Sequence, residues 1–439
     1  MFPNPQDALP LPQRPSLEQY RKLAKELVAA SRTSADAIRE WSKRWITALV
    51  RQSRLVISPA MPVRIERWSK RVAQYATSEL IDKGTATLTR AQFVIARAQG
   101  FESWPKFSRH LQHLSESKSV TSQFEAAAEA IANGDVPKLK RLLRGNSELV
   151  RERSTREHRA TLLHYVSANG VEGYRQKTPK NIVEIAKILL DAGAEVDAAC
   201  YVYGGNCTTL SLAATSVHPA KAGVMNELLQ LLLDHGAGMD QKGSAGSDHW
   251  LVFACLANGQ PGAARFLAGK GAHVDFVSAA ALDRLEDIQK HFNSDDGRTQ
   301  AISRELMQEA FRYACGYGAT RVVEFMLDRG ADVAEHSGDG FTGAHYAAMY
   351  GNLETLKRLL HHNPPLEIET ARGGTVLWHA LEAAERHHQS GEYLEIVKEL
   401  IAAGATIPEK HPPVNPKIDA LLEQHGSRTD AKTRWFKEE

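Results

Sequence analysis

A cysteine and a histidine lie close together in the middle of the sequence and could form a nucleophile–base pair. Cys207 belongs to the unusual stretch CYVYGGNCTT (residues 200–209), and His218 follows shortly after it. A thiol becomes a strong nucleophile when a neighbouring imidazole takes its proton. The alternative is that Cys207 is a small apolar residue near the start of a buried helix, a common role for cysteine. The sequence alone leaves both interpretations open.

Other patterns for catalysis or ion binding are weak. The sequence has no GxSxG elbow, no HExxH helix and no EF-hand loop, and Gly269-Lys270-Gly271 lacks the spacing and the Ser or Thr of a phosphate-binding loop. Adjacent histidines such as His361-His362 point about 100° apart on a helix, so they do not chelate by themselves. We therefore predict no metal site and no cofactor.

A second candidate site is a helix–turn–helix pattern in the segment IARAQGFESWPKFSRHL. Its second helix would enter a DNA groove and present polar side chains to the bases. The side chains in question are Lys106, Arg109 and Gln112. Trp104 and Phe107 lie where a DNA reader needs polar groups, which favours a small hydrophobic core and a structural helical cap.

The composition is that of an ordinary globular protein. The chain has 439 residues, of which 43% are hydrophobic and 24% are charged. Its four cysteines form no CxxC pair, which argues against a zinc knuckle or a disulfide framework. Neither a secretory signal nor an apolar run of about 18 residues is visible, so we expect a cytoplasmic protein with reduced thiols and no membrane partner.

Charge divides the chain unevenly. Residues 1–118 contain 20 Lys and Arg and 10 Asp and Glu, so their net charge is +10. The remaining residues contain 34 basic and 42 acidic side chains, so their net charge is −8. The simpler explanation of this asymmetry is two solvated domains whose opposite charges help them to dock. A basic module that meets an anionic partner is the sharper alternative, and it makes DNA binding by the N-terminal part a second hypothesis of function.

One phrase recurs along the chain: an apolar helix, a Gly-Ala pair and an apolar-Asp step. Its glycines are Gly193, Gly236, Gly271, Gly330 and Gly404, at spacings of 43, 35, 59 and 74 residues. The last two spacings are about twice a unit, and a degenerate copy fits in each gap. With an N-terminal copy at 124–150, the chain holds about eight units. Each unit's apolar helix stripe needs a neighbouring unit to bury it.

These units resemble the ankyrin repeat, in which about 33 residues form a T-P-L-H-x-A-A helix start, a second helix and a G-A-D-V-N step. Thr342-Gly343-Ala344-His345-Tyr346-Ala347-Ala348 and Gly330-Ala331-Asp332-Val333 carry the resemblance. The insertions and the N-terminal QGFESWPKF phrase resemble a bacterial subset of ankyrin-repeat proteins with a helical head. The resemblance implies an all-α ankyrin-repeat solenoid in which the His and Thr of the T-x-x-H step bridge neighbouring repeats.

We accordingly predict three parts. Residues 1–118 form a basic helical head or cap, 122–407 the ankyrin-repeat array, and 408–439 a C-terminal cap helix with a disordered tail. In the head, Ser16 should cap a first helix, further helices should cover 35–54 and 63–81, and Thr89 should cap the next.

The resemblance implies that the finger loops and first helices line one concave face, which would bind a protein partner without catalysis. Tyrosine and tryptophan commonly carry binding energy at interfaces. The candidate contacts are Tyr201, Tyr203, Asn206, Cys207, His218, His249, Trp250, Tyr313 and Tyr317, with Tyr346 as a further aromatic residue. The competing hypothesis is an enzyme or small-ligand binder whose pocket is built from the loops 169–181, 200–209 and 215–223.

Overall fold

Helices make up most of the chain, which forms two compact units, Met1–His273 and Val274–Glu439. The structure, a computed structural model, describes residues 3–53, 55, 59, 61–240, 249–292, 302–386 and 392–435. The adjacent histidines at 387 and 388 and the end of the C-terminal tail therefore lie outside the described residues. The predicted division at 118, 122 and 407 remains a prediction, since the first compact unit runs past the head.

Five α-helices form the head: α1 Leu17–Ser31, α2 Ala35–Gln52, α3 Met61–Thr77, α4 Leu88–Ala98 and α5 Trp104–Ser115. A π-helical turn, Ser78–Asp82, follows α3. As predicted, the Ser16 side chain caps α1 by accepting a hydrogen bond from the Gln19 amide at 3.5 Å. The cap of α4 is Thr87 and not Thr89, since the Thr87 hydroxyl accepts from the Arg90 amide at 3.3 Å.

Eight pairs of helices follow among the described residues, four in each compact unit. In the first unit they are α6 Val120–Asn133 with α7 Val136–Gly145, a 3-10 helix Leu162–Ser167 with α8 Ile182–Asp191, α9 Thr209–Ala214 with α11 Met225–Asp234, and α12 Leu251–Ala257 with α13 Pro261–Gly269. Within the third pair, the 215–223 insertion contains the short helix α10 Val217–Lys221.

The second unit continues the pattern. Its pairs are α14 Phe276–Ala281 with α15 Leu285–Lys290, α16 Arg304–Tyr317 with α17 Thr320–Leu327, α18 Gly343–Met349 with α19 Leu353–Leu360, and α20 Val376–Arg386 with α21 Glu392–Ala402. First helices pack against first helices, and second helices against second helices. A last helix, α22 Pro416–Gln424, and a short parallel pair, β3 Lys410–His411 and β4 Arg428–Thr429, complete it.

Glycine and histidine have the predicted structural roles within the pairs. The five glycines of the recurring phrase have φ angles of +92, +88, +95, +87 and +91°, the left-handed conformation that ends a helix. His345 accepts a hydrogen bond from the Thr342 amide at 3.2 Å on Nδ1, and its Nε2 donates to the Ile368 carbonyl at 3.1 Å. The histidine therefore joins one helix start to the connection that leads into the next pair.

The connection out of the second pair is a β-hairpin, which the all-α prediction missed. Strands β1 Ala199–Val202 and β2 Gly205–Thr208 pair in antiparallel register. The two turn residues, Tyr203 and Gly204, have φ angles of +53 and +80°. Positive φ at both central positions is typical of the two-residue turn that matches strand twist.

The N-terminal segment connects the head to the first helix pairs through hydrogen bonds to both. The Leu9 amide donates to the Ala98 carbonyl in the head at 2.9 Å, and the Gly173 amide donates to the Gln6 carbonyl at 3.2 Å. Arg97 in α4 also forms an ion pair with Glu157 at 2.6 Å.

A buried network of four charges, Glu125, Arg156, Glu172 and Arg175, lies at this junction. Arg156 contacts Glu125 at 2.6 Å and Glu172 at 3.0 Å, and Arg175 contacts Glu125 at 2.8 Å. Burial opposes ionisation of Glu125, but the two guanidinium groups outweigh it and lower the pKa of this carboxyl to about 2. The network is therefore charged, and it is shared by α6, the turn before the second pair and the inserted loop 169–181.

Removing one member of this network should destabilise the first unit strongly. Arg156→Ala leaves two buried carboxylates with Arg175 as their one remaining arginine partner, and breaking a buried pair in this way typically costs about 3–5 kcal/mol. Urea unfolding followed by tryptophan fluorescence measures the loss. The matched control is Arg151→Ala, because the Arg151–Glu148 pair is two-thirds exposed and should contribute less than about 1 kcal/mol. Equal midpoints for the two variants would contradict a stabilising role of the network.

Buried neutral histidines should make the fold sensitive to acid. Burial lowers the pKa of His164 to about 3 and those of His110, His345 and His379 to about 4, below the usual 6.5. Below pH 6.5 the unfolded chain takes up protons that the folded chain does not, so stability falls between about pH 6.5 and pH 4. Each group contributes at most about 1.4 kcal/mol per pH unit.

The measurement is the urea midpoint at pH 7.5, 6.0 and 5.0. His345→Gln should reduce the slope of stability against pH, because it removes one of the groups whose pKa burial lowers. A wild-type midpoint that rises towards pH 5.0 would refute this sign.

Candidate functional site

The β-hairpin places two predicted contact residues on the surface of the first unit. Tyr201 and Asn206 lie opposite each other in the register, and both side chains are exposed, Tyr201 by 67%. An exposed tyrosine is well suited to contact a partner, because it offers a large contact area and has only two side-chain torsions to fix.

Tyr203 and Cys207 have structural roles in the same hairpin. The Tyr203 hydroxyl lies 2.8 Å from the side-chain oxygens of Gln6 and Asn169, and so ties the turn to the N-terminal segment. Cys207 is fully buried, and its thiol donates to the Val202 carbonyl at 3.4 Å. Burial raises the pKa of this thiol to about 12. The prediction of Cys207 as a contact residue is therefore wrong, and a neutral buried thiol does not suit the nucleophile hypothesis.

The other predicted residues of the first unit lie in separate places. His218 is half-buried on α10, where burial lowers its pKa. His249 is exposed and Trp250 half-buried directly before α12. Their rings pack on neighbouring rings in tilted arrangements: His249 on Phe253 at 4.3 Å and Trp250 on His273 at 4.1 Å between ring centroids.

Two pairs of tyrosines form a cluster in the second unit. Tyr313 and Tyr317 on α16 lie with ring centroids 6.5 Å apart and planes inclined by 16°, and Tyr346 and Tyr350 on α18 lie 6.5 Å apart with planes inclined by 6°. Each pair is spaced by four residues, which places both rings on one side of a helix. We call these four residues the tyrosine face.

Gly316 brings the two pairs together. A Cβ atom at this position would lie 3.5 Å from Cδ2 of Tyr350 and 3.6 Å from Cβ of Tyr346, so α18 packs closely against α16 here. Burial raises the pKa of Tyr313 to about 12, and the nearby Glu309, Tyr346 and Tyr350 add to the shift. The phenol groups are therefore neutral at physiological pH. Tyr350 is the most accessible of the four, with 60% of its surface exposed.

Tyr350 is an exposed aromatic residue of this cluster that was not predicted from the sequence. The signal was available, because Tyr346 follows Tyr313 by 33 residues and Tyr350 follows Tyr317 by 33 residues. One repeat length therefore places the same aromatic pair at the same two positions of consecutive first helices.

The candidate DNA-reading residues lie on the exposed side of α5. Lys106, Arg109 and Gln112 are all exposed, and Lys106 forms an ion pair with Glu102 one turn earlier. Phe107 is buried against Tyr20 at 4.9 Å between ring centroids, and Trp104 packs on Phe107 at 5.9 Å. The small hydrophobic core expected for these two residues is confirmed, and DNA reading stays a prediction.

No group of three or more His, Cys, Asp or Glu side chains within the described ranges is arranged to hold a metal ion. Over the same part of the chain, every helix is too short or too polar to span a membrane.

Comparison with known families identifies repeats in the second unit. Residues 311–411 match the family described as ankyrin repeats (3 copies), which confirms the predicted repeat type over this range. The match includes all four residues of the tyrosine face. Ankyrin repeats are generally protein–protein interaction modules.

Comparison with individual proteins gives a partial similarity. A stretch of 141 residues, 30% of this chain, is 27% identical to the E3 ubiquitin-protein ligase hecd-1 of Caenorhabditis elegans. The similarity covers 5% of the length of that protein.

Proposed function

We propose that this chain is a non-catalytic scaffold that binds a protein partner, and that the tyrosine face is its main contact surface. The observation that carries the proposal is the repetition of an aromatic pair, Tyr313 with Tyr317 and Tyr346 with Tyr350, on neighbouring first helices. In ankyrin repeats the first helices belong to the concave side, where partners commonly bind. The matched repeats at 311–411 place this pattern inside the recognised range.

The energetics of the face support binding. Three of the rings are half-buried and Tyr350 is 60% exposed, so a partner can still bury aromatic surface. Stacking within each pair fixes the rings before a partner arrives, which reduces the entropy lost on association. Buried tyrosines at the centre of an interface are among the residues whose truncation costs most affinity.

The rim of the face carries charges of both signs. Arg312 lies 4.0 Å from Glu335, and both Arg312 and Asp339 influence the pKa of Tyr346. A polar rim around an aromatic centre is the usual anatomy of a protein interface. It fits a partner segment that combines hydrophobic and charged side chains.

We further infer that all the helix pairs from α6 to α21 are ankyrin repeats, about eight in number, in a cytoplasmic protein of the bacterial type. The glycines that end the second helices have the same backbone conformation in both units, which supports extending the repeats beyond the matched range. Gly193 and Gly404, for example, have nearly equal φ angles. The exposed Tyr201 and Asn206 of the hairpin are a second, separate contact surface of the first unit.

Removing the Tyr317 and Tyr350 side chains should lower the affinity for the partner without unfolding the chain. The full chain and its Tyr317→Ala/Tyr350→Ala variant are immobilised, and proteins retained from a native cell lysate are quantified by mass spectrometry. The retained partner is then purified and titrated against both forms. Two interface tyrosines that each cost about 2 kcal/mol together cost about 4 kcal/mol, which lowers the affinity by about 700-fold.

The control is Val63→Ala/Leu88→Ala, which removes two exposed apolar side chains from the head, 73% and 41% exposed. It should retain the partner within about threefold of wild type. Equal affinities for the tyrosine variant and the wild type would refute the tyrosine face as the contact surface.

A further inference from the structure

A cavity of about 320 Å³ lies in the first unit beside the buried charge network. The N-terminal segment from Pro10 to Pro15 forms one wall, and α6, the start of α7 and the inserted loop at Tyr174–Lys177 form the others. We call it the strap cavity, because the N-terminal segment crosses it. Its volume lies at the lower end of the range of about 300–1,000 Å³ that is typical of small-molecule sites.

The charged lining of the strap cavity is positive overall. Four cationic residues contribute to it against two carboxylates. They are Lys138, Arg156, Arg175 and Lys177 against Glu125 and Glu129. The arginines are held by the buried carboxylates. In the described part of the chain, however, no carboxylate oxygen lies within ion-pair distance of Lys138 or Lys177; Lys177 donates to the Asn133 amide oxygen at 3.2 Å.

Arg175 belongs to the same wall, and its charge is compensated within the buried network. Its side chain is 92% buried, and its Nη2, Nε and Nη1 atoms lie 2.8, 3.5 and 3.7 Å from carboxylate oxygens of Glu125, Glu129 and Glu172. The excess positive charge of the lining is therefore carried by Lys138 and Lys177, for which no ion pair is found in the described part of the chain.

Much of the remaining lining is apolar, although Gln13, Ser53 and Ser122 also contribute to it. Proline and leucine side chains belong to its apolar part, namely Pro10, Leu11, Pro12, Pro15, Leu55 and Leu114. A ligand that fills both halves needs an anionic group for the lysine side and a hydrophobic body for the proline side. Bare phosphate or a neutral hydrocarbon would satisfy only one of the two walls.

We propose that the strap cavity binds a small organic anion, a carboxylate or phosphate carried on an apolar or aromatic body. Lys138 and Lys177 bind the anionic group at the mouth, and the Pro10–Pro15 segment packs on the body. The tyrosine face takes no part in this site, so the two proposals are tested separately.

Isothermal titration of the full chain with four probes tests the proposal: benzoate, phenyl phosphate, inorganic phosphate and benzyl alcohol. We expect saturable binding of benzoate or phenyl phosphate, and the better of the two identifies the anionic group. Inorganic phosphate and benzyl alcohol should each bind at least tenfold more weakly, because each lacks one half of the ligand.

Variants separate this site from general surface binding. Lys138→Ala/Lys177→Ala should weaken the better probe at least tenfold, whereas Lys140→Ala, on the same helix but outside the cavity, should not change it. Ala126→Phe should abolish binding by filling the cavity, with the urea midpoint measured as a check on folding.

Three results would overturn the proposal. The first is no saturable binding of either aromatic anion at ligand concentrations up to about 10 mM. The others are equal binding of inorganic phosphate and phenyl phosphate, and unchanged binding by the lysine variant. The first would show that the cavity holds only water.

Discussion

Four charges taken out of water hold the first unit of this protein together. Glu125 comes from a repeat helix, Arg156 from the turn before the second helix pair, and Glu172 and Arg175 from an inserted loop. Desolvation of charges is costly, so the group is stable only when every member is present with good geometry. The need to keep these four charges together positions the elements that border them. These elements are the N-terminal segment, the inserted loop and the cavity between them.

Local patterns predicted much of the fold. The apolar stripes, the Ser16 cap and the terminating glycines depend on residues within a few positions of each other, and the helices they predict are present. The buried network could not be predicted in this way. Arg156 and Glu125 are 31 residues apart, and neither has a neighbour in sequence that marks it as buried. The hairpin was missed because its strands have only four residues each and replace a loop of the expected repeat.

The candidate site was predicted in part, for a related reason. Tyr313 and Tyr317 were chosen by residue type, and the position of a second stacked pair on the next first helix follows from the repeat length, which the sequence contains. Cys207 was misjudged because a glycine-rich stretch indicates an exposed loop, whereas the strand pairing turns this side chain into the core. Periodic features are thus visible in the sequence, and features made by insertions depend on contacts that only the folded chain contains.

The contacts of Gln6 also constrain the order in which the protein can fold during synthesis. Its carbonyl binds the Gly173 amide, and its side chain meets Tyr203, 197 residues further along the chain. At a translation rate of about 5–20 residues per second, the N-terminal segment emerges from the ribosome roughly 10–40 seconds before its last partner. Leu9 can bind Ala98 much earlier, because both residues belong to the head. The head can therefore fold before the hairpin exists, and the contacts of Gln6 close last.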